Sequence, residues 1–520
     1  MSKKQKPRSD GKSSGSWRGR LHDPGLAIGS ALLLVLSYPY FPTWWLVFIA
    51  FVPLLLIRGQ ELWHRFRMGW LQGFVFHLLA FSWIRETIVN YSNLDWHLAL
   101  AVLLLFAIVS AFLNALFLAG GTWLVQNAGL NRFVAYPLVY AGLDLLYPQV
   151  YPYYLGMTLY RQTALIQVVD LCGMLGLSYL VVMTNCLVVD LFRRAPRWRL
   201  ELAVTALCWG LVGGYGWWNL EVKQRPEPRR LSFALVQPNV LIEDRFGRQN
   251  PGSAIYRRLL EHTVEAGQGK PDLVVWPEAA YPFVWREDSG DVAGLRELVR
   301  TLGVQLIVGM VEHEGRASYN GAVLLGTDGE TRARYRKINL LVFGEYLPFE
   351  DEFPILSEWI RGGGHFKPGT DYTVADLGAG FRASIPICYE MIKPHLIREF
   401  VERGTNVLIN LTNDVWFGRT KCPYQHLALC VFRAVEYRLP FLRATNTGIS
   451  AHVDQDGRLL ATTALFEPAT LVGTVDVAPE FSLYREFGPW FELLVAVALV
   501  VALLRGVWRQ RRLGRAENKA

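Results

Sequence analysis

Apolar residues in this chain are gathered into blocks. Residues 25–218 hold long runs with hardly any charge, and residues 488–508 hold one more. Crossing about 30 Å of hydrocarbon takes about 20 apolar residues in a helix. The runs read as eight spans, near residues 25–42, 44–60, 67–84, 98–125, 133–149, 168–191, 201–218 and 488–508. The fifth is the weakest, being short and carrying Asp144 and two prolines.

Over the whole chain of 520 residues, 52% are apolar and 19% are charged, which excludes a disordered protein and argues against a purely soluble one. Six cysteines are too few for a disulfide scaffold. The net charge of +8 raises the question of nucleic acid, and its placement answers it. Segments 1–24, 58–67, 126–132, 192–199 and 505–520 hold 21 Lys and Arg, whereas the short loops on the other side hold two, Arg85 and Arg161. Basic residues of this kind face the cytoplasm. Both termini are therefore expected inside, with an even number of spans. The segment 219–487 falls on the far side and carries 30 Lys and Arg against 34 Asp and Glu, a net of −4. A nucleic-acid partner loses its support. The expected division is a basic cytoplasmic tail (1–24), a seven-span bundle (25–218), an extramembrane domain (219–487), a last span (488–508) and a second basic tail (509–520).

Within 219–487, short β-rich runs alternate with amphipathic stretches. Residues 231–238, 272–278, 304–310, 383–388 and 406–411 read as buried strands, and 253–268, 292–302, 392–401 and 426–438 as helices. This is an α/β layered domain. Three residues in it carry chemistry. Glu278 and Cys388 are expected at strand ends, and Lys337 just after a β-like run. A thiol ionises more readily beside a lysine, and a carboxylate can take its proton, so the three types suit acyl transfer. Each also has an ordinary reading: a small buried hydrophobe, a turn residue, and, for Lys337 among Arg332, Arg334 and Arg336, a solvated face. Periodicity does not bring the three together.

The motifs WPE (276–278), YRK followed by FGEYLP (335–337, 343–348) and CYE (388–390) resemble those of the nitrilase, or carbon–nitrogen hydrolase, superfamily. LTNDVWFG (411–418), QH (425–426) and LRATNTGISAHVDQDGR (442–458) resemble, more closely, the apolipoprotein N-acyltransferase family. The resemblance implies a multi-span α-helical membrane bundle of about eight helices carrying an αββα sandwich. It implies Cys388 as nucleophile, Glu278 as general base and Lys337 as oxyanion stabiliser, with Glu345 a second acid near the base. Tyr389 and Glu390 would shape the nucleophile's pocket, with the Tyr389 N–H as an oxyanion donor. Trp416 and Phe417 would lie on a mobile loop at a lipid-facing mouth, and Arg443 and Asn446 would be structural. It further implies a bacterial inner-membrane enzyme with its catalytic domain in the periplasm, acting as a monomer. Its substrates would be a phospholipid acyl donor, sn-1 of phosphatidylethanolamine, and the N-terminal amine of a diacylglyceryl-cysteine lipoprotein.

No cofactor and no metal are expected, since the histidines show no paired-ligand spacing. RGGGHFKPG (361–369) reads as a loop without a P-loop pattern. Cys422 and Cys430 could pair in an oxidising compartment, though not if they lie on one helix. Two rival functions stand beside the transferase: a membrane-tethered amidase that uses water as acceptor, and a transporter or sensor without catalysis.

Overall fold

The computed structural model describes residues 17–92, 94–246, 251–342, 344–346 and 366–517. Most of the first basic tail, and residues 361–365 of the glycine-rich loop, lie outside them.

Among the described residues, three helices are long and apolar enough to cross a membrane: Trp96–Ala128, Val169–Phe192 and Trp490–Leu513. Helices Trp17–Ser37, Leu62–Ala80, Arg132–Leu146 and Trp198–Trp217 pack with them at positions expected from hydropathy. Backbones approach closely where Gly69 and Gly73 meet the helix Trp96–Trp123: a Cβ on Gly69 would lie 2.4 Å from the Asn114 carbonyl oxygen. Small residues spaced by four let helices pack in this way where the hydrophobic effect cannot drive them together.

The expected second span, 44–60, is not one helix. It is a 3-10 turn, Trp44–Phe48, followed by a short helix, Val52–Leu56. Pro53 removes a backbone donor there. The freed groups are satisfied by Asn185 of the helix Val169–Phe192: its Oδ1 accepts from the Phe51 N–H at 2.8 Å and its Nδ2 donates to the Val47 carbonyl at 2.9 Å. A break among buried apolar helices needs such a partner.

Residues 229–477 build two sheets. The strands are β1 (Arg229–Gln237), β2 (Leu273–Val275), β3 (Val284–Trp285), β4 (Gln305–Glu314), β5 (Ala317–Leu325), β6 (Thr331–Arg336), β7 (Val374–Gly378), β8 (Phe381–Ser384), β9 (Val407–Thr412), β10 (Phe441–Thr445), β11 (Ala451–Val453), β12 (Leu459–Thr462) and β13 (Ala469–Val477). One sheet runs β13-β1-β2-β4-β5-β6 with β3 beside β4; the other runs β12-β11-β10-β9-β8-β7. Side-chain alternation makes the layers. Leu231, Phe233 and Leu235 of β1 enter the core between the sheets, while Ala234 and Val236 meet Ile255 and Leu259 of the helix Pro251–Gly267. The helix Gly290–Leu302 completes that outer layer through Val292, Leu295 and Val299. The second sheet carries the helices Pro394–Glu402 and Cys422–Tyr437. The domain is thus an αββα sandwich, as expected.

The last of these helices is unusual for an outer layer, because every residue from Cys422 to Tyr437 except Tyr424 is buried. One side packs on the sheet and the other on the apolar helices, so one core runs from Val407 and Ile409 through Val431 into Ile166, Val169 and Leu177. Cys422 and Cys430 are free and sit on this one helix, where an eight-residue separation of about 12 Å forbids a bond. At its end, Arg438 is fully buried: its Nε donates to Asp170 at 2.9 Å, and its Nη1 to Asp456 at 2.9 Å and to Gln167 at 2.6 Å. Removing one partner from a buried ion pair costs about 3 kcal/mol. Asp170→Ala should therefore lower the thermal midpoint in detergent and loosen the sandwich from the helices, seen as faster proteolysis of the 219–230 connection. An unchanged midpoint and cleavage rate would contradict this coupling.

Candidate active site

Glu278 leaves β2 by a tight turn. Trp276 is fully buried, with its backbone N–H on the Ile307 carbonyl at 2.8 Å and its indole N–H on Thr263 at 2.8 Å. β4 passes so close that a Cβ on Gly309 would sit 2.0 Å from the Pro277 carbonyl oxygen, so only glycine fits there. The turn aims Glu278 inward. The strand itself ends at Val275, three residues before the expected strand end.

Lys337 continues the line of β6. Strand alternation settles what its basic neighbours left open: Arg332, Arg334 and Arg336 face outward to Asp328, Glu312 and Glu314, whereas Tyr335 and Lys337 face the core. The Lys337 side chain is 2% exposed. Its Nζ lies 3.3 Å from Glu278 Oε1 and 2.8 Å from Glu345 Oε2. The Asn320 amide bridges the two acids, donating at 2.8 Å to each. Glu278 Oε2 accepts the Asn413 N–H at 2.9 Å, and Glu345 Oε2 accepts the Leu341 N–H at 2.8 Å.

Cys388 is not at a strand end as expected. β8 stops at Ser384, because Pro386 has no N–H to continue the ladder; Ile387 makes one isolated bridge to Leu411. Cys388 then opens a 3-10 turn, Cys388–Ile392, in the left-handed region at φ 51°. A non-glycine residue held there costs free energy that the surroundings must supply. Two groups supply it. The Asn410 amide donates to the Pro386 and Cys388 carbonyls at 2.9 and 3.4 Å. Glu390, fully buried, accepts the N–H groups of Ile387, Ile338 and Asn339 at 2.7–2.9 Å, and the Tyr335 hydroxyl at 2.9 Å on each oxygen. Glu390 therefore clamps the cysteine turn to the lysine loop. Tyr389 points the other way, its hydroxyl donating to the Val150 carbonyl at 2.6 Å and its ring under Lys393.

The electrostatics follow from this packing. Burial works against the Lys337 ammonium, but Glu278 and Glu345 outweigh it and hold its pKa well above the usual lysine value. Burial pushes the Glu278 carboxyl up; Lys337 pulls it down and Glu345 pushes it further up, with a net rise. Burial and the Glu278 charge also raise the Cys388 thiol, more than Lys337 lowers it. The expected depression of this thiol by Lys337 is thus outweighed, and the resting group is a protonated thiol beside a strengthened base. Glu390 is pushed up to about 7 by burial, against Lys337 and its backbone donors.

Trp416 and Phe417 belong to a 3-10 turn, Asp414–Phe417, and are half-buried against the helix Trp83–Tyr91. The Tyr91 and Trp416 rings are 4.7 Å apart, Trp83 and Phe417 5.5 Å, and Asn90 donates to the Trp416 carbonyl at 3.1 Å. The Tyr91 hydroxyl donates to the Gly344 carbonyl, next to Glu345. A helix of the apolar half thus roofs the site. Asn446 anchors loops as expected, bonding Asn413 and Val240.

Sequence reasoning missed Asn320, and missed that Arg443, expected to be structural, centres a buried cluster behind the cysteine. Arg443 donates to Asp414 at 3.0 Å, to His426 at 3.0 Å and to Asn410 at 2.6 Å. Asp414 and His426 lay within quoted motifs, but nothing local marked their role. Burial raises the Asp414 carboxyl, yet Arg443 and His426 bring it down to about 2. Its ordinary value is 3.8, so its contribution, about 2 kcal/mol, is fully present above that pH and is lost as pH falls through 2. Asp414→Asn should therefore flatten the loss of stability between these pH values in urea titrations. Equal slopes for variant and wild type would contradict the pairing.

Known proteins resemble this chain along nearly its whole length. A family profile described as carbon-nitrogen hydrolase matches residues 233–479, and one described as the apolipoprotein N-acyltransferase N-terminal domain matches residues 30–187. The apolipoprotein N-acyltransferase of Geobacter metallireducens is 35% identical over 500 residues, covering 92% of this chain and 94% of that protein. That of Thermotoga maritima is 30% identical over 513 residues, covering 94% of each. Among solved structures, Saccharomyces cerevisiae Nit3, a member of branch 10 of the nitrilase superfamily, aligns at a TM-score of 0.39 and 20% identity over 49% of this chain and 92% of that one. Matched along nearly its whole length, the chain belongs to the apolipoprotein N-acyltransferase family.

Proposed function

We propose that this protein moves an acyl chain from a phospholipid to the N-terminal amine of a diacylglyceryl-cysteine apolipoprotein, through a thioester on Cys388. The observation that carries the reading is the buried Glu278–Lys337–Glu345 group beside a cysteine held at positive φ. In the first step Cys388 Sγ attacks the sn-1 ester carbonyl of phosphatidylethanolamine while Glu278 takes the thiol proton. The tetrahedral oxyanion rests on the Lys337 ammonium and the Tyr389 N–H. Collapse forms the thioester, and Glu278 returns the proton to the departing lysophospholipid oxygen. In the second step the lipoprotein amine attacks the thioester, Glu278 accepts its proton, and the thiol is restored. An α-amine titrates near 7.7–8.0, so a raised carboxyl suits this deprotonation. Glu345 and Asn320 orient the base, Glu390 holds the nucleophile's turn, and Trp416 and Phe417 line the lipid-facing mouth. Packing of the helix Trp83–Tyr91 over the site supports water exclusion, which a thioester needs.

In this reading residues 25–218 and 488–508 form a bundle of eight crossings in the bacterial inner membrane, the second being the broken segment 44–56. Residues 219–487 stand in the periplasm, with both tails cytoplasmic and the chain a monomer. Water as acceptor would make the same site an amidase or a phospholipase. Incubating the purified protein with phosphatidylethanolamine and a diacylglyceryl peptide separates these outcomes. We expect N-acylated peptide from the wild type, none from Cys388→Ala, and kcat lowered roughly 10³-fold in Glu278→Gln. Free fatty acid in place of acylated peptide, or full activity without Cys388, would contradict the reading.

A further inference from the structure

Away from Cys388, a groove of about 710 Å³ runs along β12. Among the described residues, that strand is the edge of its sheet. One wall is Gly457–Leu465, and the other is the turn Tyr160–Thr163 that leads into the apolar helix Val169–Phe192. Tyr424, Leu427 and Ile449 form the floor. Tyr424 lies on a different face of its helix from His426 and Cys430, which touch Arg443 beside the active site, while Leu427 sits one turn before Cys430. None of Glu278, Lys337, Glu345 or Cys388 lines the groove.

Two guanidinium groups stand at this groove, whose lining mixes polar groups (Thr163, Thr462, Thr463) with apolar ones. Arg161 makes no ion pair among the described residues and lies 5.4 Å from the Tyr160 ring centroid. Arg458 has a side chain 42% exposed, with its nearest acid, Glu221, at 3.8 Å. Arg161 is also one of two basic residues in the short loops on this side, where basic residues are otherwise sparse. Guanidinium forks match phosphate oxygens bidentately, and a volume of this size suits a small amphipathic ligand. Leu459, Leu460 and Leu465 supply the apolar part of the wall, with Leu460 54% exposed. A free phosphate ester would satisfy the arginines but leave these surfaces wet; a lipid covers both.

We propose that this groove holds a glycerophospholipid, its phosphate on Arg161 and Arg458 and an acyl chain over Tyr424, Leu427 and Leu459, distinct from the lipid that reacts at Cys388. The proposal does not depend on the acyl-transfer chemistry.

The test uses the full chain in detergent micelles with a photoreactive phosphatidylglycerol, and maps crosslinks by peptide mass spectrometry. The expected wild-type crosslinks fall in 155–165 and 455–465. They should drop about tenfold in Arg161→Ala/Arg458→Ala. They should drop as much in Ala464→Trp, which fills the groove without removing charge, while crosslinks near Cys388 persist and report an intact fold. A photoreactive diacylglycerol, lacking the phosphate, should label these peptides weakly, and millimolar inorganic phosphate should not displace the phospholipid. Undiminished labelling in the double variant, equal labelling by diacylglycerol, or displacement by inorganic phosphate alone would overturn the proposal.

Discussion

A lysine ammonium sealed inside protein decides much of this architecture. Moving such a charge out of water costs several kcal/mol unless partners meet it. Lys337 meets two, Glu278 and Glu345, and one cation cannot neutralise both. Burial, with the negative charge of Glu345, lifts the Glu278 carboxyl against the pull of Lys337 and makes it a stronger base than an ordinary glutamate. Burial, together with the Glu278 charge, raises the Cys388 thiol and keeps it protonated at rest. In the proposed reaction base and nucleophile are therefore matched: the proton would leave sulfur as the carbon–sulfur bond forms, and no reactive thiolate would persist.

Such a group needs rigid walls and a dry ceiling. The walls come from the sandwich: Gly309 lets β4 press against the Glu278 turn, Asn320 spans the two acids, and Glu390 ties the cysteine turn to the lysine loop. The ceiling comes from the apolar half. Tyr91, Asn90 and Trp83 hold the turn that carries Trp416 and Phe417. The helix Cys422–Tyr437 joins the halves, since its two sides are buried by different partners and its end is locked by Arg438 on Asp170. A layered domain with both faces of an outer helix covered has little freedom to rotate against the bundle, which keeps the mouth of the site at one depth.

Much of this was written locally in the chain. The short β-rich apolar runs mark the buried strands, and the three motifs mark Glu278, Lys337 and Cys388. Other features were invisible for physical reasons. Hydropathy counts apolar residues without testing helical continuity, so the break at 48–52, satisfied by Asn185 from a distant helix, left no trace. The strand before Cys388 looks continuous in the sequence although Pro386 ends its ladder, a single-residue effect that an apolar run conceals. Asn320, Arg443 and His426 reach the site only because β5, β10 and the helix Cys422–Tyr437 converge there, and convergence of elements is not a local signal. The basic residues around Lys337 blurred its role until strand alternation separated the inward from the outward side chains.

Intact-protein mass spectrometry after mixing the enzyme with phosphatidylethanolamine and no acceptor tests the central claim, that the Lys337–Glu278 pair drives acylation of Cys388. The account predicts one acyl group on Cys388 in the wild type and almost none in Glu278→Gln or Lys337→Met variants that remain folded. An acyl group on any other residue, or wild-type acylation in either variant, would contradict it.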